Sequence, residues 1–316
     1  MTALPFKPDT KITDFLKTSS FTLSAEVIPP RNGAEQIKIL EQIESLTQAG
    51  AQFLAVTKGA GGSLRGGSLP IAQAIKEQFH VPCIAHFTCR DLIPVEIENQ
   101  LMDHHYFGIR NILALRGDPP DGQPLWKPRD GGYNYAHELI KQIRDLNEGR
   151  YMTRPGGPAH DPKEKTDFCI GAAAYPEHVN LEERIRFFKI KADAGAQFGI
   201  TDMLFDWEKY AKFRNDLARV GVTIPILPGT RLLKSRTQAL KMMTKFKVTV
   251  PKDVLAALPE SDGPDAIARG VELFLKLAAS LQRVGAPGIH AYVISDTEGS
   301  STALRELALR MKTSRK

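Results

Sequence analysis

The residues Leu115-Arg116-Gly117-Asp118 end an apolar run with a guanidinium and a carboxylate flanking a single glycine. Pro119 and Pro120 follow, and neither can continue a hydrogen-bonded strand. A buried strand has no need of such an ending. A site that takes an anion beside a polar heterocycle does, because charge and bare backbone must converge on one ligand. Arg116 and Asp118 could simply pair with each other, but the glycine between them favours close approach of a ligand to the backbone.

Other residues invite two readings each. Glu26 sits among apolar neighbours, between Phe21-Thr22-Leu23-Ser24-Ala25 and Val27-Ile28-Pro29-Pro30. It is either half of a buried salt bridge or a carboxyl shielded from water that hands over a proton near neutral pH. His86 is either a satisfied core histidine or a site residue, and Thr57 either a helix cap or a ligand contact. Lys189 and Lys191 stand near the end of a helical stretch, where solvated or dipole-complementing charges are ordinary. The adjacent His104 and His105 lack the i, i+4 spacing of helical metal ligands, so no metal site is expected. No G-x-S-x-G elbow marks an acyl-transfer nucleophile.

The elements that must position these groups alternate regularly. Short apolar or β-branched runs at 21–27, 52–57, 81–86, 111–115, 169–174, 197–204, 223–227 and 288–294 predict strands. Amphipathic stretches at 33–50, 69–79, 91–107, 135–146, 181–194, 206–220, 235–246 and 265–284 predict helices between them, with a helix-like tail after the last strand. Eight such pairs are the arithmetic of a (β/α)₈ barrel in the α/β class. A doubly wound sheet would carry G-x-G-x-x-G after its first strand, and neither that nor a G-x-x-x-x-G-K-[ST] loop is present. Barrel chemistry gathers at the C-terminal ends of strands. Those ends read Glu26, Thr57, His86, Arg116 with Asp118, Tyr175, Asp202, Gly229, and Tyr292 with Asp296. The expectation is a polar pocket with at least two carboxylates, a histidine and an arginine.

The 316 residues form one expected barrel domain, 1–316, with an N-terminal extension over about 1–20 and a frayed tail at 312–316. The loop 118–133 belongs on the catalytic face, and 148–167 on the opposite one. With 42% hydrophobic and 25% charged residues, the composition is that of a soluble globular protein. The net charge of +6 is spread along the chain, which suits small anionic ligands and argues against nucleic acid as a partner. Three cysteines without a CxxC pair fit a reducing, cytoplasmic setting. The charged start lacks the apolar core of a signal peptide, and no run reaches the roughly 18–20 apolar residues that span a bilayer.

These residues together resemble the methylenetetrahydrofolate reductases, flavin-dependent barrel oxidoreductases of one-carbon metabolism and methionine biosynthesis. The matching pieces are Ala25-Glu26-Val27-Ile28-Pro29-Pro30, His86-Phe87-Thr88-Cys89, 111–120, Ala174-Tyr175-Pro176-Glu177 and 191–198. Phe205-Asp206, Leu227-Pro228-Gly229 and His290-Ala291-Tyr292 continue the match in order along nearly the whole chain. The resemblance implies reduction of 5,10-methylenetetrahydrofolate to 5-methyltetrahydrofolate with FAD, and with NADH or NADPH as reductant, in a ping-pong sequence. It implies that Thr57, His86, Leu115, Arg116, Gly117, Asp118, Tyr135, Ala136, Tyr175 and Lys191 line FAD. Arg116 and Lys191 would lie near its diphosphate and Asp118 near the flavin and pterin. Glu26 matches the general acid that protonates the departing amine, and Glu26, Asp118, Asp202 and Tyr292 would meet the folate. A homo-oligomer is also implied, on which composition is silent.

The departures fall on the substrate side. Thr201-Asp202-Met203-Leu204 has an aspartate where the family carries a glutamine, and an amide both donates and accepts whereas a carboxylate only accepts. Asp296 replaces an arginine, Met242 an aromatic and Arg184 an acidic residue. The Pro-Gly-Ile-x-Pro loop reads Pro228-Gly229-Thr230-Arg231-Leu232, and His178 stands one position early. These changes keep two other readings open. One is a divergent or flavin-free barrel oxidoreductase using another pterin or electron donor. The other is a non-catalytic folate- or flavin-binding subunit.

Overall fold

The computed structural model describes residues 4–59, 61, 63, 66–120, 127–153, 163–263 and 265–313. Its strands are β1 (Thr22–Val27), β2 (Phe53–Val56), β3 (Cys83–Thr88), β4 (Asn111–Leu115), β5 (Cys169–Ala174), β6 (Phe198–Met203), β7 (Ile226–Thr230) and β8 (Gly288–Tyr292). All pair in parallel and in chain order, and β8 returns to β1, so the sheet closes into the expected (β/α)₈ barrel. The surrounding helices are α1 (Ile12–Thr18), α2 (Gln36–Gln48), α3 (Ser68–Gln78), α4 (Pro94–Tyr106), α5 (Ala136–Asn147) and α6 (Leu181–Ala194). They continue as α7 (Trp207–Arg219), α8 (Arg236–Phe246), α9 (Lys252–Ala257), α10 (Ala266–Arg283) and α11 (Thr297–Thr313).

The period-2 alternation of each strand decides which side chains meet inside. In β1, Leu23, Ala25 and Val27 join the core beneath the helices, which turns Ser24 and Glu26 toward the barrel axis. Ala85 and Phe87 face outward in β3, so Ile84 and His86 face inward. The same parity sends Ile289 and Ala291 out, and His290 and Tyr292 in. The lower interior is apolar, filled by Phe53, Ile84, Leu113, Phe198, Ile200 and Leu227. Polar residues therefore stack above an oily plug, toward the catalytic end.

Several details differ from the sequence expectation. Of the segment 1–20, expected as an extension, residues 1–3 lie outside the described residues, and the helix Ile12–Thr18 sits at the barrel's floor with Ile12 fully buried against the interior cluster. Its backbone N–H donates to Asn111 Oδ1 at 2.8 Å, and Asp9 Oδ2 accepts from Cys83 N at 2.8 Å. The tail is still helical at Lys312 and Thr313, while 314–316 lie outside the described residues. β7 begins and ends three residues later than expected and runs through Pro228. Gly229 N–H, just past that proline, donates to the Thr201 hydroxyl at 2.9 Å. The β6–β7 pairing also slips between Ile200↔Leu227 and Met203↔Gly229, so β6 carries one extra residue there. α9 answers to no expected element. Parts of the loops 118–133 and 148–167, residues 121–126 and 154–162, lie outside the described residues. Among the described residues no helix is long and apolar enough to cross a membrane.

Candidate active site

A cleft of about 480 Å³ opens at the C-terminal end of the strands, within the size range of small-molecule sites. Its wall brings together Glu26, Thr57, His86, Leu115, Arg116, Gly117, Asp118, Tyr135, Ala136, Tyr175 and Lys191. Strand termini set most of these positions. Tyr135 is placed differently: Glu138 accepts from the backbone N–H groups of Asn134 and Tyr135 at 2.9 and 2.8 Å, which fixes the start of α5 at the rim. Asp202 and Tyr292 do not line this cleft. They stand beside it, close enough to Tyr175 to feel each other's charge.

Glu26 has an unusual pair of neighbours. Its Oε2 lies 3.4 Å from His86 Nε2 and 3.9 Å from His290 Nε2. Neither ring nitrogen has a hydrogen-bond partner, and no lysine or arginine reaches the carboxyl among the described residues. Burial holds His86 below the ordinary imidazole range, with the Glu26 charge opposing and His290 assisting. His86 is therefore neutral at pH 7. The arrangement is a carboxyl between two imidazoles, and among the described residues no lysine or arginine forms the buried salt bridge that was one reading of the sequence. His290 is fully buried, and its Nδ1 meets Ser24 Oγ at 2.8 Å.

Arg116 and Asp118 do not pair. Asp118 Oδ2 accepts from Gly61 N at 3.2 Å, and Arg90 donates to the Asp118 carbonyl at 2.7 Å. Gly117 adopts φ +93°, and a Cβ there would fall 2.8 Å from Arg90 Cβ, so glycine is required for this close turn. Arg116 has no carboxylate partner among the described residues, its Nε reaching only the Gly117 carbonyl at 3.4 Å. Lys191 donates to the Ala173 carbonyl at 2.8 Å and lies over the Tyr175 ring, and burial pushes it down to about 8. The dipole-complementing role is thus set aside, since its ammonium faces the cleft. Thr57 Oγ1 is buried without a partner among the described residues, so it caps no helix there.

Sequence reasoning missed Lys58. It lines the cleft, donates to Gln100 Oε1 at 2.7 Å and lies 4.0 Å over the Phe87 ring; burial pushes it down to about 8. Its place directly after Thr57, past a strand end, was the available signal. His290 was also missed as a neighbour of Glu26, although strand parity points it inward.

On the departing side, Arg184 is bound to Asp216 at 2.8 Å and to the Pro176 carbonyl, so its role is structural. Asp296 lies 3.6 Å from Lys234 and accepts from Gly299 N at 3.3 Å. Met242 is buried against Arg231. His178 lines the cleft, its Nδ1 accepting from Asn180 N at 3.2 Å. His104 is buried with Nδ1 on the Gln100 carbonyl, and His105 packs on Phe168.

Residues 11–308 match the family described as methylenetetrahydrofolate reductase. The chain is 30% identical over 305 residues to a probable methylenetetrahydrofolate reductase (NADH) of Oryza sativa subsp. japonica, covering 95% of this chain and 50% of that one. It is 30% identical over 296 residues to the 5,10-methylenetetrahydrofolate reductase of Escherichia coli (strain K12), covering 91% of each. The chain thus spans about half the length of the plant relatives it matches. Among solved structures, a Clostridium thermocellum protein described as binding two copies of 5-methyl-5,6,7,8-tetrahydrofolic acid superposes with TM-score 0.62 at 16% identity. That alignment covers 96% of this chain and 100% of the other, and at that identity it shows a shared fold.

Proposed function

The chain belongs to the methylenetetrahydrofolate reductase family, and from that premise we propose that it reduces 5,10-methylenetetrahydrofolate to 5-methyltetrahydrofolate. FAD is the resident cofactor in this reading, and NADH or NADPH the reductant, in two successive half-reactions. The observation that carries it is Glu26: a carboxyl at the cleft wall with two partnerless imidazole nitrogens beside it and, among the described residues, no lysine or arginine paired with it.

The cleft residues fit a flavin dinucleotide. Arg116 and Lys191 are cations without carboxylate partners among the described residues, and a diphosphate would offset both. Thr57 Oγ1 is a buried group in want of a hydrogen bond that a ligand could make. When bound, FAD supplies the hydride chemistry linking a nicotinamide donor to a one-carbon acceptor. Asp118, steadied by Gly61 N and Arg90, presents its charge to the ligand. Glu26 donates its proton to the amine nitrogen that leaves as the one-carbon bridge opens. Tyr292 and Asp202 complete the folate side.

Anaerobic spectroscopy tests this. The purified protein should be yellow, bleach with NADH or NADPH, and regain colour with methylenetetrahydrofolate. In Glu26→Gln, recolouring by the folate should slow by about 10²–10⁴-fold, while bleaching persists. Equal loss of both half-reactions would contradict the acid role. A colourless protein that still reduces the folate would favour a flavin-free route.

A further inference from the structure

We propose that Arg90 is a positioning residue: by clamping the backbone of the turn at Gly117, it keeps Arg116 and Asp118 from pairing and leaves both free for the flavin dinucleotide. This rests on the FAD-dependent function proposed above and concerns the same cleft.

Opposite charges separated by one glycine should find each other. In an extended chain residues i and i+2 share a face, and Arg116 and Asp118 are both exposed. Each nevertheless reaches a backbone group instead. Arg116 Nε meets the Gly117 carbonyl at 3.4 Å, and Asp118 Oδ2 accepts from Gly61 N at 3.2 Å. The backbone between them is the reason, because Gly117 at φ +93° takes the chain out of the extended form.

That turn lies on Arg90. β3 and β4 pair as far as Thr88 and Leu115, and two further bonds carry the contact past the strand ends. Cys89 N donates to the Leu115 carbonyl at 3.1 Å, and Arg90 N to the Arg116 carbonyl at 2.9 Å. On the far side of Gly117, Arg90 Nη1 donates to the Asp118 carbonyl at 2.7 Å. One residue thus grips the carbonyls on both sides of the glycine. Its Cβ also stands 2.8 Å from where a Cβ on residue 117 would fall, so the turn rests directly on the Arg90 stem.

The clamp is itself held. Arg90 is only 8% exposed, and its Nε donates to Asp91 Oδ2 at 2.7 Å. Asp91 adopts φ +63°, a left-handed conformation that a non-glycine residue keeps only where surrounding contacts demand it. A planar guanidinium can reach Asp91 and the Asp118 carbonyl in two fixed directions, which a single ammonium does not reproduce. Without the clamp, Asp118 becomes a competitor of the diphosphate for Arg116.

The test is the affinity of the ligand-free protein for FAD, read by quenching of flavin fluorescence. Arg90→Met should bind FAD about tenfold more weakly. Arg90→Lys, which keeps the charge but not the fork, should lie nearer to Arg90→Met than to the wild type. Asp118→Asn removes the competitor, so in the Arg90→Met background it should strengthen FAD binding at least about fivefold more than in the wild type. A merely structural role would lower urea stability and FAD affinity together, with no such rescue. Wild-type affinity in either Arg90 variant, or equal effects of Asp118→Asn in both backgrounds, would overturn the proposal. If Arg90→Met does not fold, Arg90→Lys carries the same cycle. A crystal structure of the ligand-free variant should show Arg116 and Asp118 within about 4 Å of each other, and a pair still held apart would also overturn it. If the wild type binds no flavin, the proposed function fails on its own, and that crystal structure still decides what Arg90 does.

Discussion

Replacing Gly229 by alanine should cost both stability and the folate half-reaction, through Tyr292. A Cβ at Gly229 would land on the Tyr292 ring and lie 2.7 Å from the Thr201 carbonyl oxygen and 2.7 Å from the Tyr292 hydroxyl. The carbonyl is backbone within the barrel sheet and cannot retreat, so the ring must move. Moving it breaks the phenol's hydrogen bond to Thr201. Overpacking of this kind costs about 1–3 kcal/mol and the lost hydrogen bond about 1 kcal/mol, which together predict about 2–4 kcal/mol. Tyr292 also packs edge-on against His290, at 5.3 Å between ring centres, and His290 borders Glu26. Recolouring by the folate should therefore slow by about tenfold or more, while bleaching by the nicotinamide changes little. The check is a double-mutant cycle by denaturant unfolding. Tyr292→Ala alone leaves a cavity worth about 3–5 kcal/mol. In the double variant Gly229→Ala with Tyr292→Ala the new methyl fills part of that space, so the two effects should fall short of additivity by at least about 1 kcal/mol. Additivity within about 0.5 kcal/mol would refute the proposed clash.

Removing a cleft cation, by Lys191→Met or Arg116→Leu, should weaken FAD retention by about 10–100-fold each, measured by flavin release on dilution. Asn111→Ala should cost about 2–4 kcal/mol in urea unfolding, because Ile12 N loses its acceptor and the Thr10 carbonyl its donor at the barrel floor. Asp9 gives a pH signature: burial pushes its folded carboxyl up to about 7 from 3.8. Between those values the folded state holds a proton that the unfolded chain has lost. This contribution is fully present below about 4 and lost as pH rises to about 7, each pH unit being worth about 1.4 kcal/mol. Asp9→Asn should flatten that decline in stability between pH 4 and 7. An identical slope in both proteins would place the titration elsewhere.

The barrel was legible because its signals are local. Runs such as 111–115 and 169–174 have the length and composition of strands, and the observed β4 and β5 match them residue for residue. α6 likewise begins after Asn180, whose side chain accepts from Glu182 N and Glu183 N, and ends at Gly195 with φ +128°. β7 was misplaced because Pro228 reads as a strand stop, whereas here a side chain, Thr201 Oγ1, takes the hydrogen bond of the next N–H. The floor helix was missed because its apolar residues, Ile12, Phe15 and Leu16, make too short a pattern over seven residues until the barrel's open end gives them a partner.

For the site, residue types at strand ends led to the expectation of a polar pocket with carboxylates, a histidine and an arginine, and the cleft wall does bring together Glu26, His86, Arg116 and Asp118. Strand parity even ordained which of them point inward. What residue order could not decide was which neighbour each would meet, since Glu26, His86 and His290 come from three strands separated by long stretches of chain. Nor could it decide that Glu177 would meet Lys209 and the Thr249 backbone, which lie 32 and 72 residues further along the chain. Periodicity and turn chemistry act between near neighbours and are written along the chain. Charge state and hydrogen-bond partnership depend on distances through space and on shielding from water, and those exist only once the barrel has closed.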